Sequence, residues 1–264
     1  MIRQNDIVIQ SWEQLCEEVY HDSWKPELGR YRSDYAFRGL SDMNYELKNS
    51  FLRNCGEKSG LEYHLLRNFR KYSHTSVNHS TGTFWQSLVM AQHHGLPTRL
   101  IDWTYSPFIA MHFATANTEK YDTDGVIWKV DFVKVNQLVP FPFSTLLEEE
   151  KCNAFTVEML EKVVSLTDFD RLFPDTQLLF FEPPSLDERI VNQFALFSVM
   201  TNPTQIMDEW LIKRPDLYRR IIIPKALKLE IRDKLDQANI TERVLFPGLD
   251  GLAKWLKRHY KPVE

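Results

Sequence analysis

Apolar residues recur at helical spacing over residues 11–20, where Trp12, Leu15, Cys16 and Val19 share one side behind a capping box of Ser11 and Gln14. Residues 35–40 read as a short strand ending at Gly39. A second capping box, Ser59 with Glu62, opens a helix that buries Leu61, Leu65, Leu66, Phe69 and Tyr72. Its other side carries Arg67, Arg70 and Lys71, either a solvated face or a phosphate-contacting patch. After a polar loop at 74–83, residues 84–94 form a helix that stops at Gly95, with Pro97 two residues on. Residues 98–103 make a compact strand or bridge. Ser106 then caps a helix with Pro107 at its first position, running through Phe108, Ile109, Met111 and Phe113.

Strict alternation over 125–132 predicts a half-buried strand, with Val126, Trp128, Val130 and Phe132 on one side and Ile127, Lys129 and Asp131 on the other. Residues 153–164 follow as a helix, 178–181 as a buried strand ended by Pro183 and Pro184, and 194–200 and 220–223 as further strands. Between these last two, Asn202 and Pro203 start a short helix, and helices over 225–237 and 249–259 close the chain. With no repeat or Ser/Gly linker, residues 1–264 form one α+β domain, with 132–155 as its soft joint.

Composition narrows the function. The chain has 264 residues, 43% of them hydrophobic, enough for a substantial core. Its 9 glycines never fall in a G-x-G, so neither a dinucleotide fingerprint nor a Walker A loop can be drawn. The net charge of −4, 32 basic against 36 acidic residues, lacks the basic excess that marks bulk nucleic-acid binding. Cys16, Cys55 and Cys152 are odd in number and form no C-x-x-C, which suits buried, inert thiols in a reducing compartment. The first residues contain no secretory apolar region and no apolar run exceeds four residues, so the expected location is cytoplasmic, with no membrane partner.

Common hydrolase and metal motifs are missing, including G-x-S-x-G, H-E-x-x-H and C-x-x-C. Polar chemistry is instead concentrated in residues 92–106, QHHGLPTRLIDWTYS. His93 and His94 close a helix, where they either bond the last carbonyls or face a cleft. Arg99 and Asp102 either pair with each other or face that cleft, and Trp103 offers a ring for stacking. A metal site of His93, His94, Asp102 and His112 is disfavoured, because adjacent helical side chains point about 100° apart. Arg38 is the second focus: a guanidinium held by strand packing suits bidentate phosphate or carboxylate recognition, or an ion pair with Asp34 or Asp102. Gly39 beside it permits a turn or the close approach of a ligand. Lys254, Lys257, Arg258 and Lys261 share one helical side, a solvated face or an RNA-facing stripe.

YAFRGL at 35–40, LVMAQHHGLPTRLIDWTYSPFIAMHFA at 88–114, RIVNQFALFSV at 189–199 and RVLFPGLDGLAKWL at 243–256 resemble, in order, the motifs of the FRG domain family. The resemblance implies toxin–antitoxin or antiviral defence settings and an ADP-ribosyltransferase-like fold, mixed or antiparallel sheets forming a cleft flanked by helices. It implies NAD as substrate, no metal, and a macromolecular acceptor, protein or RNA, with an antitoxin or chaperone as a further partner. Carried over residue by residue, Arg38 takes the NAD-binding arginine position and Thr104 or Ser106 the second position. Gln193 falls near the third, where a catalytic Glu is expected. The candidate catalytic set is Arg38, His93, Asp102 and Gln193, with Asp102 or His93 for acid–base or electrostatic assistance and Glu182 and Glu188 as fallback acids. The implied NAD-binding set is Phe37, Arg38, Gly39, Arg99, Trp103, Thr104 and Ser106, with Phe37 or Trp103 stacked on nicotinamide. Two departures stand out: Gln cannot act as general base, and Ala195 replaces the glycine usual in this family. A non-catalytic nucleotide- or peptide-binding module is the alternative, and a metal-dependent hydrolase or nuclease built on His93, Asp102 and His112 a third.

Overall fold

A computed structural model describes residues 3–58, 60–73, 83–185 and 187–261. The N-terminal half runs β1 (Asp6–Val8), α1 (Trp12–Tyr20), β2 (Trp24–Lys25), β3 (Arg30–Tyr31), β4 (Tyr35–Leu40), α2 (Ser50–Cys55), α3 (Gly60–Ser73), α4 (Phe84–His93), β5 (Ile101–Thr104), α5 (Pro107–Thr115) and β6 (Gly125–Asp131). There follow α6 (Phe132–Gln137), α7 (Phe143–Glu150), β7 (Phe155–Thr156), α8 (Val157–Val163), α9 (Leu166–Phe169), β8 (Leu178–Glu182), α10 (Glu188–Asn192) and β9 (Ala195–Met200). The chain closes with α11 (Met207–Ile212), β10 (Tyr218–Ile223), α12 (Lys228–Gln237), α13 (Glu242–Leu245) and α14 (Leu249–His259).

Eight strands make one mixed sheet in the order β1-β10-β6-β4-β5-β9-β8-β7, and β2 and β3 form a separate hairpin. The outermost pairings, β1 with β10 and β7 with β8, are parallel; the others are antiparallel. This is an α+β fold with helices on both faces of the sheet. On one face Leu15 and Val19 of α1, Ala110 and Met111 of α5 and Ile231 and Leu235 of α12 pack over Phe37, Ile127 and Ile221. The same face carries a second cluster, in which α4, α7 and α8 cover Leu179, Phe181, Phe197 and Val199. Trp103, Trp128, Leu196 and Phe180 face the opposite side, beneath α6 and α11. Between the two clusters of the first face runs a seam over β4 and β5.

Several sequence expectations change here. The strand over 125–131 is buried along its whole length. Lys129 reaches the C-terminal end of α1, where Nζ donates to the carbonyls of Glu18 (3.1 Å) and His21 (2.5 Å), and burial lowers its pKa to about 8. The supposed joint at 132–155 is ordered: Asp131 caps α6 by accepting from the Lys134 amide (2.9 Å), and α7 and β7 fill the rest. Residues 155–156 pair in parallel with β8 before α8 begins, so the helix expected over 153–164 is shorter. Asn202 makes a turn with Thr204, and the helix expected there starts at Met207. Ser59 and residues 74–82 lie outside the described residues. Glu62 turns inward to Arg99, Leu66 of α3 is buried, and Leu61 and Tyr72 are exposed. The three cysteines are free and half-buried rather than buried, and burial pushes the Cys16 and Cys152 thiols up. Among the described residues no helix is long and apolar enough to cross a membrane.

Gly39 fixes the height of α5 above the sheet. A Cβ at this position would sit 1.8 Å from the Ala110 carbonyl oxygen and 2.7 Å from the Ala114 nitrogen, both backbone atoms that cannot step aside. The close approach is made by a helix, and Gly39 also borders the cavity between β4 and β5. Gly39→Ala is therefore expected to cost about 3 kcal/mol or more in chemical denaturation. Gly60→Ala, where no atom lies within 4 Å, is expected to change stability by less than about 1 kcal/mol. Equal effects at the two positions would contradict this packing.

Candidate functional site

Helix α4 ends in a double-bonded glycine turn. The Gly95 amide (φ +80°) donates to Gln92 O (3.0 Å) and the Leu96 amide to Ala91 O (2.9 Å), so the chain reverses sharply into β5. β5 pairs with β9 at four positions but with β4 only at Phe37 opposite Thr104. Beyond that pair the β4–β5 ladder stops. Arg38 fills the gap: its Nη1 donates to the Asp102 carbonyl and stands 4.0 Å from the Asp102 carboxylate. The Arg38 Nε is buried with no hydrogen-bond partner among the described residues. Burial lowers the proton affinity of this guanidinium, and the Asp102 charge opposes that effect.

Asp102 is held from behind. Gln92 Nε2 donates to both carboxylate oxygens (3.0 and 2.9 Å), and Gln92 Oε1 accepts from Thr98 Oγ1 (2.5 Å). The carboxylate is thus oriented yet 57% exposed. It faces a cavity of about 200 Å³ in the seam, bordered by Arg38, Gln92, His93, Asp102, Gln193 and Phe113, with Arg189 also on its border. Asp102 is the one carboxylate among its described lining residues.

The FRG domain profile matches residues 33–123, which contain Arg38, Gln92, His93, Asp102, Thr104 and Phe113. No curated protein and no solved structure matches the chain. Arg189, Gln193 and Ala195 come to the cavity from outside the matched FRG residues, on α10 and at the start of β9.

Within this frame the sequence-nominated residues separate. Phe37, Arg38, Gly39, His93, Asp102, Trp103, Thr104 and Gln193 border one cavity. His93 is spoken for: its Nε2 lies 2.5 Å from Asp187 Oδ2, while Asp187 Oδ1 caps α10 by accepting from the Ile190 amide (3.1 Å). His93 therefore ties the end of α4 to the start of α10. Thr104 Oγ1 donates to the Gln193 carbonyl (2.7 Å) and accepts from the Ser106 amide (3.0 Å), locking the turn at the base of the cavity. Gln193 Nε2 donates to the Leu245 carbonyl (3.0 Å), leaving Oε1 for an occupant.

Others are corrected. Arg99 is buried away from the cavity and does not pair with Asp102. It bonds Glu62 (Nε to Oε2, 2.6 Å) and Asp170, joining β5's approach to α3 and α9. Trp103 borders the cavity but is 3% exposed, and its ring packs on the opposite face, where Nε1 donates to Ser198 Oγ (2.7 Å), so it is not placed to stack on a ligand. The Phe37 ring is core and supplies only the cavity floor. Ser106 starts α5 with no side-chain cap bond and lies off the cavity. Glu182 accepts from the Tyr105 hydroxyl (2.8 Å), and neither it nor Glu188 borders the cavity. The left-handed residue beside Gln193 is Phe194 (φ +48°), which follows α10, whereas Ala195 is extended and pairs with Thr104. Gln92, Phe113, Asp187 and Arg189 are additions. Gln92 lies one helical turn before a glycine stop, a local signal, but the others reach the site only through tertiary packing.

His112 is turned from Asp102. Its Nδ1 stands 2.7 Å from Arg232 Nη1, and burial together with the Arg232 charge lowers its pKa to about 4. Among the described residues no group of three His, Cys, Asp or Glu side chains is arranged to hold a metal ion. Arg232, Glu242 and Arg258 are the charged groups around this ring, with Glu242 favouring its protonation and the two arginines opposing it. The unfolded chain takes up a proton near pH 6.5 and the folded chain only near 4. Stability is therefore present above about pH 6.5 and lost as pH falls toward 4, by roughly 3 kcal/mol. Urea denaturation across that range is expected to show the loss, and His112→Asn to flatten it. An unchanged slope in the variant would contradict the assignment.

Proposed function

We propose that the cavity binds NAD, breaks its nicotinamide–ribose bond and passes ADP-ribose to a macromolecular acceptor. The observation that carries this reading is the meeting of Arg38, Asp102 and Gln193 at one cavity. Arg38 borders the cavity, and its planar guanidinium suits the diphosphate. When the C1′–N bond breaks, its electron pair passes to the pyridinium nitrogen and nicotinamide leaves neutral, so no general acid is needed. Positive charge then develops on the ribose. A carboxylate oriented by Gln92 before the reaction stabilises that charge without reorganising. The acceptor nucleophile bonds to C1′, and its proton goes to Asp102. Gln193 Oε1 accepts from a ribose hydroxyl, and Phe113, in place of Trp103, is the ring at the cavity's edge.

The cavity is smaller than the ~300–1,000 Å³ of most small-molecule sites, so it takes the nicotinamide riboside end and leaves the adenosine end at the mouth. The engagement of Gln193 with the Leu245 carbonyl favours a second reading, binding without turnover, because that side chain is fixed structurally and cannot act as base. In a toxin or defence effector, expression would slow growth and Arg38→Ala would relieve it.

The test is nicotinamide release from NAD by the purified chain, with labelled transfer to cell extract. Wild type is expected to release nicotinamide, and Arg38→Ala and Asp102→Asn to lose roughly 100-fold or more. No release, with NAD still raising the melting temperature, would leave the binding reading. Neither release nor a thermal shift would overturn both.

A further inference from the structure

A second concavity opens beside the first. It lies between α14 and the C-terminal end of α5, encloses about 630 Å³, and is bordered by Lys254, Lys257, Lys261, Phe246 and Phe113 among others. Phe113 borders the proposed NAD cavity as well, so the two spaces share a wall. The Phe113 and Phe246 rings meet edge to face at 6.2 Å. Cations lie against Phe246 from both spaces: Arg189, of the NAD cavity, at 5.1 Å and Lys254, of the groove, at 5.4 Å.

Three lysine charges in this groove have no ion-pair partner among the described residues. Arg258 also borders it but is consumed by Glu242 (2.7 Å) and Asp236 (2.8 Å), so it adds no free charge. Lys254, Lys257 and Lys261 make no ion pair among the described residues. Glu119 is the remaining carboxylate on the border. A chain of net charge −4 thus places two unpaired lysines on α14 and a third just past its end, leading by way of two aromatic rings and Arg189 to a cavity. Regularly placed cations with interleaved rings suit a polyanion that carries flat bases.

We propose that this groove binds a single-stranded nucleic acid, phosphates on Lys254, Lys257 and Lys261, with its terminal nucleotide directed past Phe113. That this strand is the ADP-ribose acceptor rests on the NAD reading; that it binds does not. Lysine contacts with phosphates release counterions, so affinity falls with salt in proportion to their number.

The test is fluorescence anisotropy, without NAD, of a labelled 12-nucleotide single-stranded RNA, the same sequence as DNA, and polyglutamate, at about 50 and 200 mM salt. Wild type is expected to bind the RNA or the DNA and not polyglutamate. Lys257→Glu/Lys261→Glu, at exposed positions, should weaken strand binding at least tenfold and lower the salt slope by roughly 2. Circular dichroism of the variant checks that it folds. Preference for RNA or DNA identifies the strand. No strand binding at low salt, binding unaltered in the variant, or binding of polyglutamate alone would each overturn the proposal. Strand binding without nicotinamide release would sink the ADP-ribose-transfer reading and leave this one standing.

Discussion

Strands β4 and β5 are neighbours joined at a single register pair, Phe37 opposite Thr104. On their outer sides both are fully engaged, β4 with β6 along its whole length and β5 with β9. The opening between them is thus held on two sides by continuous ladders, and α5 closes it from above because Gly39 lets its backbone come down onto β4. A guanidinium then stands where a backbone amide would continue the ladder. The Asp102 carbonyl accepts from Arg38, and the Asp102 carboxylate beyond it turns to the cavity. An interrupted sheet supplies the facing charges of Arg38 and Asp102.

The walls of that opening are tied by ion pairs, not by apolar packing alone. Arg99, with Glu62 and Asp170, fastens the chain leading into β5 to α3 and α9. His93 and Asp187 fasten α4 to α10. Removing one partner of a buried pair such as Arg99 and Glu62 leaves an uncompensated charge, which is costly, so these residues are constrained without touching a ligand. Polar density over 92–106 therefore serves two purposes: Gln92, His93 and Asp102 face the cavity, and Arg99 and Trp103 hold the structure beneath it.

Local rules made much of this legible in the sequence. The strand at 35–40, the glycine stop at Gly95, the proline start of α5 and the alternation at 125–131 each depend on residues within one or two turns of each other. Arg38, Asp102 and Gln193 were reachable through motif order. What was not legible depends on partners distant in sequence. Arg99 meets Glu62 and Asp170, which lie 37 and 71 positions away, so spacing alone suggested Asp102 three residues on. The polar side of β6 looked solvated because nothing local indicates that α1 ends above Lys129. Gly39 suggested a ligand, since a missing side chain signals close approach without saying what approaches. Trp103 suggested stacking, and strand alternation places it on the opposite face from Asp102.

If the break in the sheet is a nucleotide site, the planar fork of Arg38 and not merely its charge must matter there. Calorimetric titration of ADP-ribose into wild type and Arg38→Lys tests this most directly, because lysine keeps the charge and loses the bidentate geometry. Wild type is expected to bind and the lysine variant to bind at least tenfold more weakly, with an unchanged fold by circular dichroism. Equal affinity in the two proteins, or no binding by wild type, would contradict the assignment of this opening as the nucleotide site.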